Sequence, residues 1–296
     1  MARKQQESVE LHRESARRRR LRWWQIGLIV FMLLVVAALA WWFQGPILRW
    51  CCEPKPTPLP PPPGQNGSAS GVLYQANFDS DVSADWEPVF NTGKVSVAFT
   101  NGQLVVDVNS LSDEGTWLAM NYSYDNFVLD VDTNKIAGPD DNGIIVLFRL
   151  QDNNNYYRFD ISSDGFYTLS KAVNAQPMLV SDWQKSGAIE TGAGINHIQI
   201  QAQGNIFRFL VNGTQLPLCV SSDPNTQPIW DNNQTPAGCI GGQIVQEWQD
   251  TSFASGKIGL GAQGVVGVDE SGNTTPAQAT IGFDNLVIRT PEAVAP

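Results

Sequence analysis

The region from Leu73 to Arg289 consists of short runs of β-branched and aromatic residues, and no stretch keeps a helical period over three turns. The runs are closed by Asn, Asp, Ser or Gly, as in "TNGQ" at Thr100–Gln103, whose Asn-Gly pair favours a tight hairpin. Many short strands separated by turns are typical of a sandwich or jelly roll. We therefore predict a single all-β sandwich.

The strands predicted from these runs are Leu73–Phe78, Val95–Phe99, Gln103–Val108, Trp117–Met120, Phe127–Val131, Ile144–Leu150, Tyr156–Ile161, Tyr167–Lys171, His197–Ala202, Ile206–Val211, Lys257–Ala262 and Ala279–Ile288.

An uncharged apolar segment from Trp23 to Phe43 precedes this region. About 20 apolar residues span a bilayer core as a helix, and tryptophans at both ends suit the two interfaces. Residues 1–22 carry a basic cluster, which the positive-inside rule keeps in the cytoplasm. We predict a basic cytoplasmic tail (1–22), a single-pass signal anchor in the cell membrane (23–43) and an extracytoplasmic domain. A cleavable signal peptide ending at "ALA", Ala38–Ala40, is the alternative.

Residues 44–71 are rich first in proline and then in glycine and serine, which predicts an extended stalk. The sandwich then occupies 72–290, and a short tail (291–296) ends the chain. Cys219 and Cys239 lie in one polar region, so an oxidising compartment favours a disulfide between them. Cys51 and Cys52 lie just beyond the predicted membrane segment, where an interchain disulfide would give a dimer.

The large domain is strongly acidic. From Val72 onward the chain has 25 Asp and Glu and 9 Lys and Arg, so its net charge is 9 − 25 = −16. Nucleic-acid binding rests on Lys and Arg contacts to phosphate, so we exclude nucleic acid as a partner of this domain.

Several segments in order, including "FRLQDNNNYYRFDISSDGFYTLSK", "NHIQIQAQGNIFRFLVNGTQL", "FASGKIGLGAQ" and "IGFDNLVIR", resemble the concanavalin-A-like, laminin-G-like jelly-roll domain of bacterial exported proteins. The branch they resemble is the one labelled 3-keto-disaccharide hydrolase, and the resemblance covers Tyr74 to Arg289. It implies a concanavalin-A-like sandwich. This fold serves lectins, carbohydrate-binding modules, glycosidases and adhesion domains, so it does not by itself imply a function.

Against this family, residues 217–249 form an insertion that holds Cys219, Cys239, Trp230 and Trp248. Long loops are often functional, so a disulfide-pinned loop with an exposed Trp230 is a candidate specificity element. A stabilised decoration is the alternative. The resemblance implies packing roles for Trp86, Trp117 and Trp183.

Candidate ligand-binding residues come from the alternation in "YYRFDIS". Alternation places Tyr156, Arg158 and Asp160 on one face of a strand and turns Tyr157, Phe159 and Ile161 to the core. We expect Arg149, Tyr167 and Lys171 to join the first set from neighbouring strands. An aromatic, a cation and a carboxylate suit a sugar, although cross-strand Arg–Asp pairs are also ordinary on exposed sheets.

A catalytic set is absent from the sequence pattern. Glycosidases need two carboxylates about 5–9 Å apart, and the E-x-D-x-x-E pattern of laminarinase-type relatives does not occur. No nucleophile elbow is present either. We therefore predict non-catalytic recognition of a carbohydrate or an envelope polymer. A glycoside hydrolase of the 3-keto-disaccharide type and a structural protein-interaction domain are the alternatives.

A structural Ca²⁺ is a further candidate, with no cofactor as the alternative. "NFDSD" (Asp79 and Asp81) and "FDN" (Asp284) lie on segments that should meet, and carboxylate oxygens are the ligands that Ca²⁺ prefers.

Overall fold

The computed structural model describes residues 71–223, 226–231, 238–269 and 271–291. Within these ranges no helix is long and apolar enough to cross a membrane. The predicted signal anchor, residues 44–70 of the stalk, Cys51 and Cys52 lie outside them.

The described residues form strands and one short 3₁₀ helix, Ser83–Asp85. The strands are β1 (Val72–Ala76), β2 (Phe90–Asn91), β3 (Val95–Thr100), β4 (Gln103–Ser110), β5 (Glu114–Tyr124), β6 (Phe127–Ala137), β7 (Asn142–Asp152), β8 (Asn155–Ile161), β9 (Phe166–Val173), β10 (Gln176–Lys185), β11 (Asn196–Gln203), β12 (Ile206–Val211), β13 (Thr214–Gln215), β14 (Leu218–Val220), β15 (Ile229–Asp231), β16 (Gly238–Ile240), β17 (Gln243–Val245), β18 (Trp248–Gln249), β19 (Gly256–Gly264), β20 (Gly267–Val268), β21 (Thr274–Thr275) and β22 (Ala277–Arg289).

Two antiparallel sheets contain most of these strands. The ten-stranded sheet has the order β13-β12-β11-β6-β22-β4-β3-β2, with β1 added on β22 and β18 on β12. The six-stranded sheet has the order β10-β9-β8-β7-β19-β5. The pairs β14–β17, β15–β16 and β20–β21 form small separate ribbons. The predicted all-β sandwich is confirmed, and each predicted strand overlaps an observed one.

The inner faces of the two sheets meet in one apolar core. Phe148 of β7 contacts Phe207 and Phe209 of β12, with ring centroids 5.5 and 5.8 Å apart. Phe159 of β8 stacks on Phe209 at 4.9 Å. These rings come from opposite sheets and are at most 1% exposed, so their burial holds the sandwich together.

The insertion covers the edge of the six-stranded sheet. Its strands β14 and β15 lie against β10, and the Ser181 hydroxyl of β10 accepts hydrogen bonds from the Cys219 amide (3.1 Å) and the Trp230 indole (3.3 Å). The predicted disulfide between Cys219 and Cys239 is present. An edge strand carries unpaired backbone groups that can recruit another chain, and this cover protects β10 from such pairing.

Candidate functional site

The outer face of the six-stranded sheet carries the residues singled out by alternation. Tyr157, Phe159 and Ile161 of β8 are buried in the core, as predicted. Tyr156 and Arg158 are turned to the opposite face, where they are partly exposed.

The two central strands of this sheet, β7 and β19, leave the middle of the outer face almost flat. Ile145 and Leu147 of β7 point outward yet are fully buried, and they pair with Gly261 and Gly259 of β19. A third glycine, Gly143, continues the outward row on β7. Glycine has no side chain, so larger side chains from the flanking strands can lie across these positions.

Trp117 and Tyr156 use this space. Trp117 lies on β5 and Tyr156 on β8, with β19 and β7 between them. Three strand spacings separate the backbones by about 14 Å, yet the ring centroids are only 5.8 Å apart. The two side chains therefore reach toward each other across the sheet and pack against the apolar cluster of Ala119, Ile145, Leu147 and Leu150. We call Trp117 and Tyr156 the aromatic platform.

The glycines are required by close contacts. A Cβ at Gly261 would lie 2.3 Å from the Thr116 carbonyl oxygen and 2.7 Å from the Trp117 Cβ. A Cβ at Gly143 would lie 3.1 Å from the Gln263 Cβ and 3.7 Å from Nη2 of Arg158. Side chains at these positions would displace both the platform and its polar neighbours.

A polar network stands beside the platform. Arg158 donates from Nε to both carboxylate oxygens of Asp160 at 2.8 Å, and from Nη2 to Oε1 of Gln263 at 2.5 Å. Burial lowers the pKa of Arg158. The charge of Asp160 and the hydrogen bonds to it together raise this pKa by a larger amount, so the net shift is upward. Among the described residues, no hydrogen bond uses Nη1 of Arg158. The guanidinium of Arg158 is thus held in place, and its Nη1 N–H groups remain available to a ligand.

Asp160 itself is committed to this ion pair. Its side chain is only 3% exposed, and both of its oxygens accept from Arg158. A carboxylate held in this way is poorly placed to act as an acid or a nucleophile. A second ion pair, Lys257 with Glu87 at 2.9 Å, lies toward the Tyr156 end of the same face.

Three other residues were expected on this outer face, namely Arg149, Tyr167 and Lys171. All three lie elsewhere, so that prediction was wrong. Tyr167 pairs with Ile161 and Lys171 with Tyr157, which puts both on the inner face. Tyr167 is 1% exposed and donates to the Pro217 carbonyl. Lys171 forms an ion pair with Asp250 at 2.5 Å at the sandwich edge.

Arg149 also turns inward, because it sits at an irregularity of β7 with φ +48°. It is 1% exposed and stands over the Phe207 ring at 4.7 Å. It donates to the carbonyls of Phe253 (2.6 Å), Asp125 (2.8 Å) and Gly204 (2.5 Å). Burial lowers its pKa. Arg149 therefore ties three loops together at one end of the sandwich.

Trp230, expected to be exposed, is only 8% exposed and packs on β10. Trp86 and Trp248 are also buried, whereas Trp183 is 39% exposed and Trp117 is partly exposed. The packing role expected for Trp117 and Trp183 is thus incomplete.

The carboxylates expected to bind Ca²⁺ accept hydrogen bonds within local turns. Asp79 accepts from the Asn77 side chain, Asp81 from the Ser83 amide and Asp284 from the Asn285 amide. In the part of the chain that the structure describes, no group of three or more His, Cys, Asp or Glu side chains is arranged to hold a metal ion.

Comparisons with known proteins give similarity of fold alone. No family model and no curated protein matches the sequence. Among solved structures, a carbohydrate-binding module, CBM66, from Bacillus subtilis has a TM-score of 0.40 at 16% identity over 62% of this chain and 86% of its own.

A β-1,3-1,4-glucanase (lichenase) from a mouse hindgut metagenome has a TM-score of 0.47 at 13% identity, over 74% of this chain and 99% of its own. A Bacillus licheniformis β-glucanase has a TM-score of 0.44 at 13% identity, over 76% of this chain and 100% of its own. All three TM-scores lie below 0.5. At such low values they add no argument about function, which rests on the site.

Proposed function

We propose that this protein binds carbohydrate without catalysis, through the outer face of its six-stranded sheet. The observation that carries the proposal is the contact of the partly exposed Trp117 and Tyr156 across two glycine-bearing central strands, beside Arg158. Aromatic rings offer a flat apolar surface with a polar edge, which matches the C–H face and the hydroxyls of a sugar. Arg158 supplies donors of fixed direction.

A glycoside hydrolase is the less favoured candidate. Its general acid would need a carboxylate with a raised pKa, and a second carboxylate within about 10 Å. Asp160, on the same strand as Tyr156, is held in an ion pair by Arg158. A structural protein-interaction domain is the third candidate, because an aromatic patch also suits a protein partner.

The surroundings of the domain complete the proposal. We infer that the segment 23–43 anchors the chain in the cell membrane, that 44–71 is its stalk, and that the sandwich is extracytoplasmic. The Cys219–Cys239 disulfide is compatible with an oxidising compartment. A dimer through Cys51 or Cys52 and a structural Ca²⁺ remain predictions.

The test is a glycan array probed with the full-length protein in mild detergent, with and without Ca²⁺, followed by titration of each glycan that binds. Trp117→Ala and Arg158→Gln should each weaken binding at least tenfold, which is about 1.4 kcal/mol. Trp183→Ala is the matched control, because it removes another exposed tryptophan of the same sheet outside the platform. It should leave binding unchanged.

Binding that survives Trp117→Ala and Tyr156→Ala would move the site away from the platform. Release of reducing sugar from a bound glycan would favour the hydrolase. Failure to bind any glycan would leave protein interaction as the better reading.

A further inference from the structure

A cavity of about 310 Å³ opens on the outer face of the ten-stranded sheet, on the opposite side of the domain from the aromatic platform. It is lined by Val128, Gln201, Ala202, Gln203, Arg208, Arg289 and Pro291. We call it the arginine cavity. Its volume lies at the small end of the range for ligand pockets, which fits a single monosaccharide-sized molecule.

The strand register places both arginines at the two ends of one cross-strand row. Arg208 of β12 pairs with Gln201 of β11, Gln201 pairs with Val128 of β6, and Val128 pairs with Arg289 of β22. Paired residues of antiparallel strands point to the same face. The two guanidinium groups therefore flank a floor made by Val128 and Gln201.

Arg289 forms an ion pair with its nearest carboxylate, Asp130, but donates no aligned hydrogen bond to it. Its Nη2 lies 3.0 Å from Oδ2 of Asp130, yet that oxygen is buried and has no hydrogen-bond partner. The two groups are close but not aligned as a hydrogen bond. Within the described residues, no hydrogen bond uses Arg289 as donor, and its side chain is 39% exposed. The N–H groups of Arg289 that do not face Asp130 can therefore meet solvent or a ligand.

Arg208 is held by an exposed partner. It donates from Nε to Oε1 of Glu247 at 2.8 Å, and its Nη2 bonds the same oxygen. The side chains of Arg208 and Glu247 are 33% and 39% exposed. Solvent screens such a pair and makes it weak, so an anion entering the cavity can replace Glu247 at small cost.

We propose that the arginine cavity binds a small ligand that carries an oxyanion, either a carboxylate or a phosphate, on a monosaccharide-sized body. A guanidinium presents its N–H groups as a fork that matches two oxygens of such an anion. Two arginines on facing walls would clamp the ligand from both ends. The site is separate from the proposed carbohydrate platform and does not depend on it.

The acidic character of the domain does not prevent this binding. Nine basic against 25 acidic residues from Val72 onward give −16, which repels an anion at long range. At about 0.15 M salt the Debye length is near 8 Å, so most of these charges are screened from the cavity. The charges that act on the ligand are then the two guanidinium groups and their partners Glu247 and Asp130.

The test is isothermal titration calorimetry of the full-length protein at 0.15 M salt with four probes. Glucuronate carries a carboxylate, glucose 6-phosphate carries a phosphate, inorganic phosphate is the bare ion, and glucose is the neutral control. We expect one of the two sugar anions to bind at least tenfold more tightly than both glucose and inorganic phosphate. Which one binds distinguishes the two oxyanions.

Arg208→Gln should weaken that binding at least tenfold, because it removes one wall of the clamp. This variant is the primary one, since Arg208 makes only an exposed ion pair and its loss should leave the fold intact. Arg289→Gln is the second variant. Lys94→Gln removes an exposed positive charge outside the cavity and should leave binding unchanged.

The proposal is overturned if glucose binds as tightly as the sugar anions, if no probe binds, or if Lys94→Gln weakens binding as much as Arg208→Gln. Inorganic phosphate binding as tightly as glucose 6-phosphate would overturn the sugar-sized ligand, because the body would then add nothing.

Discussion

Replacing Gly261 with alanine tests whether the bare central strands hold the aromatic platform in place. The new Cβ would lie 2.3 Å from the Thr116 carbonyl oxygen and 2.7 Å from the Trp117 Cβ. Carbon atoms in contact prefer about 3.5–4.0 Å. The first atom belongs to the backbone of the paired strand β5, which cannot rotate away. Strand β5 must therefore shift, and Trp117 moves with it.

The expected loss of stability follows from two opposing effects. Overpacking typically costs about 1–3 kcal/mol, and contacts this short belong at the upper end. Alanine in a strand gains back about 0.5–1 kcal/mol over glycine. The net loss is about 2 kcal/mol. For a domain of this size, each kcal/mol lowers the melting temperature by about 2–4 °C, so Gly261→Ala should melt about 4–8 °C lower.

Gly259→Ala is the matched control on the same strand. Its nearest atoms would be Cβ and Cδ1 of Leu147 at 3.3 Å. A leucine side chain can give by a few tenths of an ångström, and the gain over glycine offsets that adjustment. We expect a melting temperature within about 2 °C of the wild type, from a change below about 0.5 kcal/mol.

The assay is thermal unfolding of full-length wild type and both variants, followed by near-ultraviolet circular dichroism, with glycan titration at 25 °C. Gly261→Ala should lose both stability and affinity, and Gly259→Ala neither. The reasoning is refuted if Gly261→Ala melts with the wild type, or if the two variants lose stability equally.

Three further changes can be measured on the same protein. Cys219→Ala with Cys239→Ala opens a loop of sequence separation 20, which should cost about 3 kcal/mol and speed proteolysis within the insertion; an unchanged cleavage rate would contradict this. Arg149→Met leaves three loop carbonyls without their donor. Each unsatisfied buried group costs about 1–3 kcal/mol, so unfolding by denaturant should show that the free energy of unfolding falls by about 3 kcal/mol or more. A fall below about 1 kcal/mol would contradict the role of Arg149. Burial lowers the pKa of His197. Hydrogen bonds to two aspartates together raise this pKa by a larger amount, so the net shift is upward. Its stabilisation is therefore full below the unfolded-state pKa of about 6.5 and is lost as pH rises through the folded-state pKa. The melting difference between wild type and His197→Asn should shrink above pH 6.5, and a difference that grows there would contradict this sign.

Alternation along one strand could be predicted from the sequence, because it depends only on the two-residue period. It assigned the faces of β8 correctly from Tyr156 to Ile161. The strand β10, which was not predicted, contains Pro177 and many polar residues, as suits an edge position.

Faces across strands could not be predicted, because they depend on register. The residue of β9 opposite Tyr156 is Ala172, not Lys171, and this one-residue difference turns Lys171 to the inner face. The predicted orientation of Arg149 was wrong for another reason. Its positive φ breaks the alternation of β7, and nothing in the local sequence marks that irregularity.

The site itself had a signal in the sequence that alternation alone overlooks. In "GKIGLGAQG" of β19, Gly259 and Gly261 occupy the positions that an ordinary exposed strand fills with polar side chains. In β7 the corresponding outward residues Ile145 and Leu147 are apolar. A central strand whose outer face is bare or apolar must be covered, since exposed apolar surface is unfavourable in water. The cover comes from large aromatic residues on the flanking strands. Trp117 and Tyr156 are partly exposed and pack on the apolar cluster that contains Ile145 and Leu147. Glycines and apolar residues at outward positions of neighbouring central strands therefore indicate where an aromatic platform will form, before any register is known.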